Sequence, residues 1–381
     1  MKYIKPNFHL FPCNICVFLL ILFFFFSNSD ADAQQKSGKK KEKHFEAEFG
    51  FATIYDNNIL KYSDKYLERF LNQQDEGRFH IDTYDDIILN QSLALTYTFR
   101  IFKELKSKIN FNFNNNAYVV NGIKNWYFVS LGFQQYLTKR ASFKLFYNYI
   151  PDYYVRHFRD EDWVNVYGYT PETFVPFSYA KDNYGFWIQN TFFKNTRINL
   201  GVDYSKYYHN KHYTEYDCKN YIIGISLYQP VNKKVRLEFG YENEHSNAKG
   251  YDEPGETKET ADDADATYFE NGFVFGVSWE LPEIKKTGHS LDVKLGYQKR
   301  YYLSEHYLEE DREHAGRVDD NVQLAATYNV NLSKAFKLGA FYKFYMRNSY
   351  SESPVNQLYL SAEKDYRQSQ IGLELTYNLK F

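Results

Sequence analysis

The sequence predicts an all-β fold, a transmembrane antiparallel β-barrel of about fourteen strands, with roughly 12 to 16 as the range. Three observations predict it. Segment after segment alternates apolar and polar residues with a period of two, so each carries one apolar face. The links between segments run short and long in turn along the chain. Aromatic residues are abundant, with 38 Tyr and 34 Phe, while Pro, Met and Cys are scarce. Tyr suits a membrane boundary, where the ring sits in lipid and the hydroxyl reaches headgroups.

The chain opens with Lys2 and Lys5, an apolar run from Ile15 to Phe26, and the stretch SNSDADA ending at Ala33. Charge, a short apolar core and a small-x-small site make a secretory signal peptide, expected to span 1–33. The run holds about a dozen residues against the roughly 20 a spanning helix needs, which argues against a retained anchor. Cys13 and Cys16 lie inside the signal without the small residues of a lipoprotein processing site. That leaves Cys218 alone, with no disulfide framework. The basic run QQKSGKKKEK follows, so 34–44 reads as a flexible leader and 45–381 as one barrel domain. A net charge of -2 gives no reason to expect nucleic acid as a partner. In lipid every backbone polar group must be satisfied between strands, which forces closure.

The segments justify the count. Phe45, Ala47, Phe49, Phe51 and Tyr55 alternate with Glu46, Glu48 and Gly50. Leu89, Leu93, Leu95, Tyr97 and Phe99 oppose Asn90, Ser92 and Thr96, and Ile109, Phe111 and Phe113 oppose Asn110, Asn112 and Asn114. Further segments centre on Leu131, Leu145, Ile188, Val202, Ile223, Phe239, Phe275, Leu295, Leu324 and Leu338. In the last, Ile371, Leu373, Leu375, Tyr377, Leu379 and Phe381 face away from Gln370, Gly372, Glu374, Thr376, Asn378 and Lys380. This closing segment, with Phe381 at its end and Tyr377 upstream, resembles the final strand of Gram-negative outer-membrane β-barrels. The resemblance implies the outer membrane as location, with its lipid and lipopolysaccharide as surroundings. It also implies that Tyr377 and Phe381 act as a signal to the barrel assembly machinery.

Short links are expected at Phe102–Ser107, Thr138–Ala141, Lys194–Thr196, Gln229–Lys234, Leu281–Gly288 and Asn329–Ser333. Long ones are expected at Asn57–Asp85, His157–Ala180, His209–Asp217, Ser246–Ala266, Ser304–Arg317 and Tyr350–Asp365. Only Val120–Lys124 breaks the rule. Short periplasmic turns and long outer loops would place both termini in the periplasm. Within Asn58–Gln73, Ile59, Tyr62, Tyr66, Leu67, Phe70 and Leu71 share a helical face, read as a short helix packed on the rim of the outer mouth rather than as a lid. The ring-rich stretch from Arg159 to Tyr179 could fold inward or cap the rim. The acidic stretch from Tyr251 to Ala266 matches no calcium-loop spacing and reads as a solvated loop.

Chemistry is thinly represented. His209 and His212, with Glu215, Asp217 and Cys218, have metal-like proximity but no spacing that makes ligands converge, so no metal and no cofactor is expected. His306 and His314 flank Glu309, Glu310 and Asp311 and could form an acid/base pair, although a solvated loop accounts for them as well. No nucleophile setting is present, so no enzyme is expected. The residues opposite the apolar faces say more. Arg236, Glu238, Glu242, Glu244, Glu270 and Glu280 give one acidic wall sector, and Asp292, Lys294, Arg300, Lys337, Lys343 and Arg347 a mainly basic neighbour. Such sectors would set a transverse field in a pore, or pair across strands and fill it. The leading reading is a porin-like channel for small polar solutes. The alternatives are a plugged barrel that binds a partner or polysaccharide at the surface or in export, and a barrel hydrolase.

Overall fold

The computed structural model describes residues 44–101, 105–285 and 287–380, all within one compact unit, Lys43–Phe381. The expected signal peptide, the leader up to residue 43 and Phe381 lie outside the described residues. Fourteen strands form the unit: β1 Phe45–Asp56, β2 Asp86–Arg100, β3 Lys106–Tyr118, β4 Trp126–Tyr136, β5 Ala141–Arg159, β6 Phe174–Thr191 and β7 Arg197–His209, then β8 Cys218–Pro230, β9 Val235–Ala248, β10 Tyr268–Ile284, β11 Thr287–Tyr302, β12 Val318–Asn331, β13 Phe336–Tyr350 and β14 Tyr366–Lys380. Each pairs antiparallel with its sequence neighbours, and β1 pairs with β14 through a register that sets Phe49 against Tyr377, so the sheet closes. Closure leaves no unpaired edge.

The links alternate as expected, but two are shorter than the apolar phase suggested. The β10–β11 link shrinks to 285–286, because pairing continues through a bulge between Leu281 and Ile284. The long link after β5 covers only 160–173, since Phe174 to Tyr179 already pairs with β5. Backbone groups keep their ladder partners above the apolar belt, where side-chain phase no longer reports the strand.

Exposed apolar residues mark the outer face: Phe51, Leu131, Leu145, Val202, Ile223, Phe275, Leu373 and others in the same phase. Tyr147, Tyr184, Tyr204 and Tyr221 stand opposite one another on β5 to β8, forming a row with centroids 5.1, 6.5 and 5.1 Å apart. At the long-loop end Tyr55, Tyr147 and Tyr297 donate to Asp85, Asp182 and Asp320. Near the short-link end Phe336 stacks on Tyr377 at 4.6 Å. Aromatics at both ends of an aliphatic band are what two membrane interfaces select. Among the described residues no helix is long and apolar enough to cross a membrane; the strands do that.

Three short helices decorate the long links: α1 Asp64–Leu71, α2 Glu161–Tyr167 and α3 Pro354–Lys364.

Candidate functional site: the lumen and its cover

The first long link, 57–85, decides the shape of the outer end. Ile59, Leu60, Tyr62, Tyr66 and Ile81 are buried together with Tyr154 of β5, and Leu67 and Phe70 of α1 pack against them. Arg156 of β5 donates from Nη2 to the Leu60 carbonyl at 2.6 Å, and its guanidinium lies 4.7 Å from the Tyr62 ring centre. His80 stacks on His157 at 3.6 Å. On the far side, Asn58 donates to the Arg367 carbonyl at 3.0 Å, Gln368 donates to the Asn58 carbonyl, and Lys61 sits over the rings of Tyr345 and Tyr366. In the closed order β5 and β13 are six steps apart, nearly opposite. The segment therefore spans the mouth. The expectation of a helix resting on the rim is corrected: its apolar face had a better partner in the interior than in the lipid edge.

Other links complete the cover. Lys65 and Tyr66 of α1 bond Glu363 of α3. Lys364 of α3 pairs with Glu313 and reaches the Phe158 ring of β5 at 5.9 Å. Lys364 and neighbouring cations hold the Glu313 carboxyl down at about 2 against the effect of burial. The ring-rich link divides: Trp163, Tyr167 and Tyr169 are exposed on and beside α2, and Phe174 is buried at the start of β6.

Below the cover the inner face is polar and unevenly exposed, with Ser142 and Thr376 buried near the short-link end as well. Asp56, Asn220, Glu270, Asp319 and Gln368 are buried towards the covered end. Arg236, Glu242, Glu280, Lys294 and Gln323 are exposed further down. Links cover the lumen at one end, and below them exposed charged groups stand on the wall of β9 to β11.

The charged residues singled out from sequence occupy one alternation phase, opposite the exposed apolar set. Their separation into sectors does not hold. Lys294 Nζ is 2.7 Å from Glu238 Oε2, and Arg300 Nε donates to Glu270 Oε2 at 2.8 Å. The acidic and basic strands are only one or two apart, and long side chains on β9 and β11 meet over Gly276 of β10. Glu244 accepts from Asn220 and Tyr268, and Arg347 donates to the Lys364 carbonyl. Lys343 stands between Ala325 and Gln370, and Lys337 between Asn331 and Thr376. Glu242 makes no ion pair among the described residues. Arg236 and Asp292 both stand opposite Ser278, while Glu280 stands opposite Ser290.

The sequence reading missed the inner face of β5 to β7: Lys144, Phe146, Trp187 and Asp203. It followed formal charge from β9 onward, although the same alternation rule gives all four. Trp187 donates from Nε1 to Asp203 at 2.7 Å.

The metal-like and acid/base candidates are dispersed. His209 faces Asp217 at 3.4 Å, whereas His212 faces Asp160 at 2.8 Å. His314 bonds Asp311 at 3.0 Å, and His306 lies 3.9 Å from Glu310. In the acidic link, Asp252, Glu256 and Asp263 each place an oxygen within 4.8 Å of the others. Burial and the neighbouring Asp252 push Asp263 up to about 6, and burial above all pushes Glu215 up to about 8.

A closed antiparallel barrel with an even strand number, an apolar outer belt, aromatic rows and a polar interior has one habitat. This is an outer-membrane β-barrel. No family model matches the chain, and no curated protein matches it. Solved structures similar to it include a bacterial polysaccharide outer membrane secretin, at 7% identity over 88% of this chain and 98% of that one, with a TM-score of 0.44. The anion-selective porin from Comamonas acidovorans aligns at 10% identity over 89% and 99%, with a TM-score of 0.41. The outer membrane channel DcaP of Acinetobacter baumannii aligns at 12% identity over 90% and 100%, with a TM-score of 0.42.

Proposed function

We propose that the barrel is a channel for small hydrophilic solutes whose outer mouth is closed by segment 57–85 in the state seen here. The observation that carries this reading is that four inward charged residues below the cover, Arg236, Glu242, Glu280 and Lys294, are exposed instead of packed into the lumen. A barrel built only as a scaffold would pack its core or pair every charge, since isolated charges in a dry interior are costly. Arg236, Glu238, Glu242, Glu244, Glu270, Glu280, Lys294, Arg300, Lys337, Lys343 and Arg347 are the pore-lining set in this reading. The long links face the exterior and both termini the periplasm. Tyr377 with Phe381 serves as the assembly signal to the barrel assembly machinery, and lipopolysaccharide surrounds the outer half. Residues 1–33 serve as signal peptide and 34–44 as leader.

A second reading, the plugged barrel that binds a partner or polysaccharide, is favoured by the mouth itself, which is tied on both sides. No hydrolase is proposed, because His209, His212, His306 and His314 face four different carboxylates and are not gathered at one place. Swelling of liposomes containing the purified barrel in isosmotic solutes of increasing size separates the two. Uptake with a size cut-off supports the channel, and no uptake of the smallest solute supports the plug.

A further inference from the structure

The lumenal wall is hollowed at one place. Gly240 of β9 and Gly296 of β11 both fall in the inward phase and flank Val274 of β10 in register, and Gly272, one inward position along β10, lies between Glu242 and Gln298, so the wall is lowered around Val274. A Cβ at any of the three would meet nothing closer than 3.5 Å, so neighbouring side chains have not filled the space. The result is a niche of about 260 Å³. That is close to the lower end of the ~300–1,000 Å³ of small-molecule sites.

One side of the niche is an aromatic plate. A Cβ on Gly201 would fall 2.2 to 2.5 Å from the Trp187 ring atoms, and one on Gly224 2.9 Å from the far end of the same indole. The indole therefore lies flat on two glycines, with its other face towards the lumen. Its N–H is already committed to Asp203. What Trp187 offers a solute is an apolar, π-rich surface with no donor. Around the niche stand Gln298 and Gln323, where Gln323 Nε2 donates to Gln298 Oε1 at 3.4 Å and each amide carries a further polar atom, together with the carboxylates of Glu238 and Glu242; Asn199 beside them donates to Ser226. Glu238 is neutralised by Lys294, while Glu242 is exposed and free to accept.

We infer that this niche binds a pyranose sugar. Such a ring has an apolar C–H face that can lie on the indole, and a rim of hydroxyls that both donate and accept. A linear polyol lacks the flat face, and an apolar solute gives the Glu242 carboxylate no donor. The inference deepens the channel reading by naming a substrate class, and it rests on the lumen being reached by water from the uncovered end.

The test measures equilibrium binding of maltotriose to the detergent-solubilised full barrel by calorimetry, with choline as a cationic counter-probe. The expected result is maltotriose binding that weakens at least tenfold in Trp187→Ala and in Gly240→Leu. The leucine fills the niche from a position with room for it, and heat-modifiability confirms that each variant is folded. Trp163→Ala, in an outer link, should bind as wild type does. Absence of maltotriose binding, binding unchanged in Gly240→Leu, or choline binding in its place would overturn the inference. Solute uptake without sugar binding rejects the niche and leaves the channel standing, whereas sugar binding without uptake rejects the channel and leaves the niche.

Discussion

Lys294 and Glu238 hold their ion pair at 2.7 Å across an intervening strand that contributes only Gly276 between them. A Cβ at Gly276 would stand 3.1 Å from that of Glu238, in the path of the pair. Charges that look segregated in sequence are thus joined by the absence of a side chain. The Lys294 side chain is 53% exposed, so the pair adds little stability, about 1 kcal/mol or less. Its effect should be on ions in the lumen. Replacing Lys294 by Glu is expected to shift the reversal potential across a salt gradient towards cation selectivity, with Tm nearly unchanged. The shift should fade near 1 M salt, where screening shortens to about 3 Å. Lys337→Glu with Lys343→Glu should act in the same direction. A large fall in Tm without any change in selectivity would show that these residues are packing, not pore.

Arg156 bonds the Leu60 carbonyl and stacks on Tyr62, so its loss should loosen the cover. Arg156→Ala removes a charge-assisted hydrogen bond and a cation–π contact worth roughly 2–4 kcal/mol together. Hydrogen exchange across 58–82 should accelerate tenfold or more while the strands stay protected. Unchanged exchange in that segment would mean that the cover does not depend on β5.

Glu215 gives a pH dependence with a definite sign. Its carboxyl is raised from the ordinary 4.5 to about 8, chiefly by burial, so the native links favour the protonated form. Its contribution is complete below pH 4.5 and is lost as pH rises through 8. Glu215→Gln, which cannot ionise, should be the more stable protein at pH 9, with a flatter profile of melting temperature between these limits. Parallel profiles for the two proteins would remove Glu215 from the account.

Topology can be read with cysteines at Asp262 and Lys139 in a Cys218→Ser background. An impermeant reagent on intact cells is expected to label position 262 and spare 139. Labelling of 139 alone inverts the proposed orientation.

The barrel was legible because lipid leaves the backbone no alternative to paired strands. Ile109, Phe111 and Phe113 against three asparagines state both faces at once. The cover was less legible. Tyr62 and Tyr66 show that a helix has an apolar face, but not whether rim or interior will meet it, and that choice is made by Arg156 and Gln368 from strands far away in sequence. The pairing of Glu238 with Lys294 was hidden for the same reason: residues on β9 and β11 become neighbours only through the register of β10. Trp187 was overlooked for want of a formal charge, although alternation alone places it inside.

Whether segment 57–85 closes an otherwise open lumen is tested most directly by single-barrel conductance in planar bilayers, for wild type and for a variant in which 60–82 is replaced by a short glycine-serine linker. The wild type is expected to be mostly closed with brief openings, and the variant to carry steady ohmic current. A variant that inserts, shows heat-modifiability and still carries no current would contradict this, leaving the lumen closed by its own wall and the barrel without a path for solutes.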